Sequence, residues 1–290
     1  MNVVGFSRII LVMFLWAVCF PLITVGFAYA PHLTFAALRA FIAGAALVGV
    51  GLVLGRAVPS GARIWITLIF TGLGATSLAF LGMFHAAEFV SPGIAAVIAN
   101  TQPLLAAVLA GMFLNEHLDN RGKLGLALGF AGIVLIAAPQ LLSNQADSYF
   151  LGIAYILLAA FGITVSNVLI KWIVGDVDAI MAMGFQMLIG GIPLAVGAFV
   201  FEEPQNVIWS LNFVLILAGL SLFGSALVYW LWVSILETTP LTQANTFSFL
   251  VPVFGLTMGA LFFGETLGWL EFAGISLTLF GIALVSRKSS

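Results

Sequence analysis

Apolar residues run along this chain in stretches of about 20, the length of helix that crosses the hydrocarbon core of a membrane, and short polar connections separate the stretches. Strands of a membrane barrel would instead alternate in polarity over about ten residues. The pattern therefore predicts an all-α, polytopic membrane protein with ten transmembrane helices. We place these helices at residues 9–28, 33–54, 64–84, 90–112, 121–139, 150–172, 179–200, 213–235, 240–263 and 268–286.

Composition agrees with a membrane protein and excludes several other classes. Of the 290 residues, 62% are hydrophobic and 7% are charged, and the mean hydropathy is +1.21, values outside the range of ordinary soluble domains. The net charge of −2 provides no basic field for a nucleic acid. Cys19 is the single cysteine, so no intramolecular disulfide can form, and we expect it to be a buried small apolar side chain. We expect no cofactor and no metal.

The N-terminus resembles a cleavable signal peptide, because Arg8 precedes an apolar run that ends in the small-x-small pattern Ala28-Tyr29-Ala30. The run over 9–28 is nevertheless long enough to span a membrane. It also has a counterpart at 153–172 in the second half of the chain. We therefore expect the first helix to be retained as part of a repeated unit.

An internal repeat organises the whole chain. Residues 83–136, laid without a gap over 232–285, return the same residue at many positions that are 149 apart: Glu88/Glu237, Ala95/Ala244, Pro103/Pro252, Phe113/Phe262, Glu116/Glu265, Leu118/Leu267, Gly125/Gly274, Leu128/Leu277, Gly132/Gly281, Ile133/Ile282 and Leu135/Leu284. The interpretation is one five-helix unit written twice. We predict a first repeat at 1–139, a linker at 140–149 and a second repeat at 150–290.

Basic residues predict the orientation, because Lys and Arg in short loops are retained on the cytoplasmic side. With the N-terminus inside, the basic residues that fall at cytoplasmic ends are Arg8, Arg56, Arg63, Arg121, Lys123, Lys171, Arg287 and Lys288. Arg39, inside the second predicted helix, is the exception. Both termini are then cytoplasmic.

Five helices per repeat is an odd number, so the second repeat enters the membrane from the opposite face. Inverted repeats of this kind are typical of secondary transporters, in which one half rocks against the other around a central substrate site. The alternative is a duplication that built only a large membrane scaffold.

Two segments carry a family resemblance. Residues 103–116 begin with proline and end with glutamate, and glycines follow them at 125 and 132; residues 252–265 repeat this with glycines at 274 and 281. These segments resemble the signature of EamA-type members of the drug/metabolite transporter superfamily. The Trp that the family has in its first helix is present as Trp16. The Lys often found at the end of that helix is matched only by Lys171, since the first half has Gly26.

This resemblance implies export or exchange of amino acids and other small metabolites across the bacterial inner membrane. More weakly, the chain is similar to YddG-type exporters of aromatic amino acids. The expected partners are a small-molecule substrate and the lipid bilayer.

Two prolines mark the expected walls of the substrate site. Pro103 and Pro252 lie near the middle of helices four and nine, and each releases the carbonyl four residues earlier, at Ala99 and Ser248. A carbonyl released in mid-membrane needs a partner or a wet cavity. The neighbouring polar residues are Asn100, Thr101, Gln102, Gln243, Asn245, Thr246 and Ser248. The alternative is a packing kink whose amides bond to adjacent helices.

Other uncharged polar and aromatic side chains lie inside predicted helices. Polar groups there are expected to face the bundle interior, and amides could hold both ends of a zwitterion; aromatic rings suit a bulky apolar side chain. The alternatives are hydrogen bonds between helices and a lipid-facing aromatic ring. The candidates are Asn167, Gln186 and Tyr229, with Trp16, Phe20, Phe80 and Phe84.

Two ionisable residues are candidates of a different kind. Arg39 aligns with Gln186 of the second repeat and could clamp a carboxylate, or it could extend to the nearby outer end of its helix. His85 lies at the outer end of helix three. No Asp or Glu occurs in the middle of any predicted helix, so we predict movement down the substrate gradient, or exchange, with His85 as the one plausible proton-linked site.

The remaining shared residues are expected to be structural. Glu116 and Glu265 end helices four and nine, where they should tie a helix end to the next loop, with gating as the alternative. Glycines at 125, 129, 274 and 281 allow close helix contacts. Helices five and ten should therefore brace the bundle or form a homodimer contact.

These observations favour a secondary transporter that exports or exchanges small metabolites by alternating access, above all amino acids with bulky or aromatic side chains. An exporter of drugs or other neutral metabolites is the alternative. An intramembrane enzyme is disfavoured because neither HExxH nor GxSxG is present. A scaffold remains a third possibility.

Overall fold

The structure, a computed structural model, describes residues 3–102, 105, 120–141, 146–238, 244 and 247–286. Pro103, Glu116 and Asn245, three of the predicted site residues, lie outside this part of the chain. The described residues are helical, with short turns, and contain no strand. This confirms the predicted all-helical class.

The helices follow the predicted spans closely. They are α1 (Val3–Gly26), α2 (His32–Val53), α3 (Ala62–Gly72), α4 (Ala79–Ala86), α5 (Pro92–Ala99), α6 (Asn120–Leu141), α7 (Ala146–Lys171), α8 (Ala179–Phe201), α9 (Leu211–Ala218), α10 (Val228–Thr238), α11 (Leu250–Phe263) and α12 (Trp269–Ser286). Two π-helical segments, πA (Leu73–Leu78) and πB (Gly219–Leu227), join α3 to α4 and α9 to α10. Helices three and eight are thus continuous but irregular. Short 3₁₀ turns occupy Pro204–Asn206 and Phe247–Phe249.

Six described helical stretches are long and apolar enough to cross a membrane, which makes this a multi-pass membrane protein. They are Ser7–Gly26, His32–Val53, Ala62–Ala86, Ser148–Lys171, Ala179–Phe201 and Leu211–Thr238. Each of the ten predicted spans contains a described helix. The full ten-helix inverted repeat stays a prediction, because parts of helices four and nine lie outside the described residues.

Helices at equivalent places in the two halves pack against each other. α2 packs on α8, α5 on α11 and α6 on α12. Glycines allow these close approaches: a Cβ on Gly44 would lie 2.9 Å from the Gly184 carbonyl oxygen, and one on Gly132 would lie 2.6 Å from that of Gly274. The two halves therefore share one interface of small residues that runs through the bundle.

The glycines of α6 and α12 face one another within the chain. A Cβ on Gly281 would lie 2.5 Å from the Gly125 carbonyl oxygen and 2.6 Å from the Gly129 nitrogen. Larger residues would force the helices apart. These glycines therefore brace the bundle, as one of the two interpretations of the sequence expected.

Carboxylates hold the first turns of α2 and α8. Glu202, which ends α8, accepts hydrogen bonds from the backbone amides of Leu33 at 2.7 Å and Thr34 at 2.8 Å. Asp178 caps α8 itself, accepting from the amides of Ile180 and Met181. A carboxylate at a helix N-terminus satisfies free amides and the helix dipole. The first of these caps joins the two halves of the chain.

Candidate functional site

The two π-helical segments lie at equivalent places in the two halves. Residues 73–78 of πA correspond to 222–227 of πB at the repeat spacing of 149. A π-helical segment disturbs the regular backbone ladder and often occurs at functional sites. Within these segments, Thr76 and Ser225 are equivalent residues, and both are buried. The irregular middle of each helix therefore presents a buried hydroxyl.

Arg39 of α2 reaches πB. Its Nε donates to the Ser225 hydroxyl at 2.8 Å, and its Nη2 donates to the Gly224 carbonyl at 3.1 Å and contacts the Cys19 Sγ at 3.4 Å. The Cζ atom lies 4.4 Å from the centre of the Phe80 ring. Arg39 is 2% exposed. The side chain is therefore held inside the bundle and does not extend to the membrane surface.

Gln186 of α8 makes the corresponding contact with πA. Its Oε1 accepts a hydrogen bond from the Thr76 hydroxyl at 2.9 Å, and the residue is fully buried. Its Nε2 is a buried amide nitrogen with no hydrogen-bond partner among the described residues. Gln186 and Thr76 thus repeat the arrangement of Arg39 and Ser225 with the roles of the halves exchanged.

Tyr229 and Phe80, another pair at the repeat spacing, lie one turn beyond these hydroxyls. The Tyr229 hydroxyl donates to the Ala75 carbonyl of πA at 2.9 Å. π-helical geometry frees backbone carbonyls that need donors. Tyr229 therefore ties the second half to the irregular segment of the first. Phe80 instead lies against the guanidinium of Arg39.

Trp16 lies in a second group of polar and aromatic side chains, formed by α1, α7 and α10. Its ring centroid is 5.1 Å from that of Trp232, and the Trp232 indole donates to the Asn167 Oδ1 at 3.1 Å. Trp232 and Asn167 are buried. An aromatic pair with one fixed amide is suited to an apolar ligand that carries a polar group.

Asn100 and Ser248 contact each other across the two halves. The Asn100 Nδ2 donates to the Ser248 carbonyl, and the Ser248 hydroxyl donates to the Asn100 Oδ1 at 3.0 Å. That carbonyl is the one that Pro252 releases by lacking an N–H. Its partner is therefore an amide of the adjacent helix, as the packing-kink interpretation expected.

Glu265 also bonds across the halves. Its Oε1 accepts from the backbone amide of Gly93, in the first turn of α5, at 2.9 Å. A Cβ on Gly93 or on Gly259 would lie 2.5 Å from one of the carboxylate oxygens. Glu265 thus ties its helix end to the start of a helix in the other repeat, and not to the loop that follows it.

His85 belongs to an aromatic cluster at the predicted outer end. Its Nδ1 is 3.0 Å from the Leu81 carbonyl, and its ring lies 5.2 Å from the rings of His32 and Tyr155. His32 in turn is 3.9 Å from a carboxylate oxygen of Glu88. Helices of both halves contribute to this cluster.

The structure brings together only some of the predicted residues. Phe84 of α4 is buried, and the centre of its ring lies 5.9 Å from the Arg39 Cζ. Phe20 is buried one turn after Trp16 on α1, and Gln102 is half-buried at the end of the described part of helix four. An apolar groove of about 200 Å³ lies between α1 and πB, and Cys19 and Gly224 line it. This groove adjoins the guanidinium of Arg39.

Sequence reasoning missed Ser225, Thr76 and Gly224. Hydroxyl and glycine residues are frequent in membrane helices, and neither type marks a π-helical segment. A signal was present in the equivalence of Thr76 and Ser225 at the repeat spacing.

The fold and the interior together define a class: a bundle of membrane-spanning helices in which buried polar side chains join the two halves of the chain. The EamA-like transporter family matches the chain over residues 4–138 and 150–287. The chain therefore belongs to the EamA-like transporter family, which is a family of transporters and not of enzymes. The predicted family is confirmed.

Relatives agree with this assignment. The chain is 33% identical over 261 residues to a WAT1-related chloroplastic protein of Arabidopsis thaliana, an alignment that covers 87% of this chain and 62% of that protein. It is 26% identical to the uncharacterized inner membrane transporter YedA of Escherichia coli, with 97% and 90% covered. The chain thus spans about three fifths of the Arabidopsis relative.

A solved crystal structure shares the fold. Its TM-score to this chain is 0.70 at 19% identity, and the superposition covers 98% of this chain and 96% of that one. At this identity the likeness concerns the fold alone.

Proposed function

We propose that this protein is a secondary transporter that moves small metabolites across a membrane by alternating access between two inverted halves. The observation that carries the proposal is the pair of equivalent contacts, Arg39 with Ser225 and Gln186 with Thr76. Each joins a straight helix of one half to the π-helical segment of the other. Polar, irregular backbone at mid-membrane is accepted where it borders a substrate path.

Contacts at the two ends differ in a way that suits rocking of the halves. At the predicted outer end, Glu202 and Glu265 bond backbone amides of the other half at 2.7 to 2.9 Å. At the predicted inner end, the contacts between halves include the ion pairs Arg56–Asp178 and Arg63–Asp176, both at 3.7 Å, and an exposed hydrogen bond from Arg63 to the Trp172 carbonyl. Exposed ion pairs contribute little to stability. The inner end should therefore separate more easily.

The substrate class follows from the residues around the interface. Aromatic rings of Trp16, Phe80 and Tyr229, with the amides of Asn167 and Gln186, favour a metabolite that has a bulky or aromatic body and a polar group. Amino acids with such side chains fit this description, and export or exchange is the proposed direction. A drug or another neutral metabolite is the alternative, since it would contact the same rings.

Energy coupling is proposed to come from the substrate gradient or from exchange. His85 is the one site that we assign a possible proton link, through its contact with His32 at 5.2 Å between ring centroids. Asn100 and Ser248 are proposed to border the path while holding the halves together. The predicted location is the bacterial inner membrane with both termini cytoplasmic.

A homodimer through α6 and α12 also stays a proposal. Because the glycines of these helices face each other inside the chain, a second subunit would have to use their outward faces, where Phe130 and Phe280 are exposed. Cross-linking in native membranes through cysteines placed at those two positions tests it.

Counterflow in proteoliposomes tests the proposed function. Vesicles loaded with one unlabelled amino acid, nucleoside or neutral drug should accumulate the labelled compound transiently if the protein exchanges it. Saturable counterflow is the expected result. Absence of counterflow over the whole panel, with purified protein that unfolds cooperatively, would contradict it.

A further inference from the structure

The guanidinium of Arg39 has hydrogen-bond donors for which the described part of the chain provides no acceptor. Five N–H groups are present in a guanidinium, and the described partners are bonded to Nε and Nη2. The remaining nitrogen, Nη1, is buried and has no hydrogen-bond partner among the residues that the structure describes. Unpaired donors of a buried cation are costly, so this atom points to a ligand.

The charge of Arg39 is also unbalanced. Within the described part of the chain, no carboxylate lies within 4.0 Å of its guanidinium, although other Arg residues have such partners. Its contacts are a hydroxyl, a carbonyl, a thiol and the Phe80 ring, all neutral. The acidic residues that the structure describes lie in loops or near helix ends. The site therefore lacks one negative charge.

We propose that Arg39 binds the carboxylate of the transported solute, and that the substrate class is small organic acids with one carboxylate on an apolar or aromatic body. This inference rests on the proposed transport function and narrows it. The solute supplies the counter-charge, and the fork geometry of a guanidinium suits a carboxylate. Phe80 and Phe84, buried beside the guanidinium, suit the apolar body.

An ammonium group on the solute would have no acidic side chain to pair with in the middle of the predicted helices. No Asp or Glu occurs in the middle of any predicted helix, so the positive end of a zwitterion held there would meet only carbonyls, amides and rings. The carboxylate is therefore the required group, and the ammonium is dispensable. A cation without a carboxylate is excluded, because it would face the guanidinium without compensation.

Four compounds of similar shape separate these requirements in counterflow. Phenylalanine has both charges, 3-phenylpropionate only the carboxylate, phenethylamine only the ammonium, and 3-phenylpropanamide neither. We expect exchange of the two carboxylates and little exchange of the other two. This ratio is measured on the unaltered protein and does not depend on any variant.

The repeat itself offers matched variants. Arg39→Gln installs the residue that the second half has at the aligned position. It should lower uptake of 3-phenylpropionate roughly 10- to 100-fold and so remove the preference for the acid over 3-phenylpropanamide. Arg39→Lys keeps the charge and should retain the preference for carboxylates at a lower rate. Gln186→Arg, combined with Arg39→Gln, places the charge beside Thr76 and should restore part of the preference.

The outcomes separate this inference from the transport function. The carboxylate assignment is overturned if the protein prefers the amide or the amine in counterflow. It is also overturned if Arg39→Gln leaves the acid-to-amide ratio unchanged. Either result leaves the transport function intact. If none of the four compounds moves but another solute of the panel does, the ratio of that solute to its uncharged analogue decides in the same way. Absence of all counterflow contradicts the transport function and this inference with it.

Discussion

The Arg39–Ser225 contact and the Gln186–Thr76 contact are built from the same parts but differ in charge. Arg39 lies seven positions after His32, the first residue of α2, and Gln186 lies seven positions after the first residue of α8. Each side chain accepts or donates at a hydroxyl in the opposite π-helical segment. The geometry follows the repeat, whereas the chemistry does not.

In the proposed inverted repeat, this difference in charge would make the two halves chemically unequal. Two identical halves would present the same chemistry to both faces of the membrane. With the predicted orientation, Arg39 lies in the outer half of the bilayer and Gln186 in the inner half. On the proposed transport path, a solute would pass from an amide to a guanidinium, and its entry paths from the two sides would not be equivalent.

The largest effect is expected at Gly190, which allows α8 to approach πA beside Gln186. A Cβ there would lie 2.3 Å from the Gly72 carbonyl oxygen, a backbone atom that cannot move aside. Gly190→Leu should therefore lower the free energy of unfolding by about 3 kcal/mol. Thermal unfolding in detergent measures this, with Gly49→Leu as control because a Cβ at Gly49 meets nothing within 4 Å. Equal losses for both variants would contradict the close contact.

The hydroxyls of the two contacts provide a matched pair. Ser225→Ala leaves the Nε of a buried cation unpaired, and should cost roughly 1.5–3 kcal/mol of unfolding free energy. Thr76→Val removes the partner of a neutral amide oxygen, and should cost roughly 0.5–1.5 kcal/mol. Denaturant or thermal unfolding of both variants in one detergent gives the comparison. A larger loss for Thr76→Val would show that Arg39 does not depend on Ser225.

How much of this was readable from the sequence varies between the contacts. The helices, the repeat and the alignment of Arg39 with Gln186 could be predicted, because length, hydropathy and spacing express them directly. The partners could not: Ser225 is 186 positions from Arg39, and a π-helical segment has no sequence signature. The tie between Glu265 and Gly93 similarly depends on how the halves meet.

Aromatic residues show a second limit of prediction from the sequence. Trp230 and Trp232 are two positions apart, yet they are 37% and 3% exposed. In a soluble protein the polar face of a helix would indicate which one is buried. A helix that is apolar on all sides gives no such indication, so the inward aromatics could not be separated from the lipid-facing ones.

Tyr229 and Phe80 test the comparison of the two halves at positions one helical turn after Ser225 and Thr76. Tyr229→Phe gives both halves a phenylalanine at this pair of equivalent positions, and it removes the hydrogen bond to the Ala75 carbonyl. We expect a loss of about 1 kcal/mol in unfolding free energy. Phe80→Tyr is the reciprocal control, and by adding a hydroxyl beside Arg39 it should instead alter solute preference. Unchanged stability of Tyr229→Phe would mean that the carbonyl has another donor.

The smallest effect is expected at Cys19, which contacts Arg39 without balancing its charge. Its Sγ is 3.3 Å from the Leu15 carbonyl and 3.4 Å from the Arg39 Nη2. Cys19→Ser keeps a group that can donate to the first and accept from the second, so the free energy of unfolding should change by less than about 0.5 kcal/mol. Cys19→Val, which cannot hydrogen-bond, is the control and should cost more because Nη2 loses an acceptor. If Cys19→Ser also retains the preference for carboxylates, that preference does not depend on the thiol; a lost preference would assign part of it to Cys19.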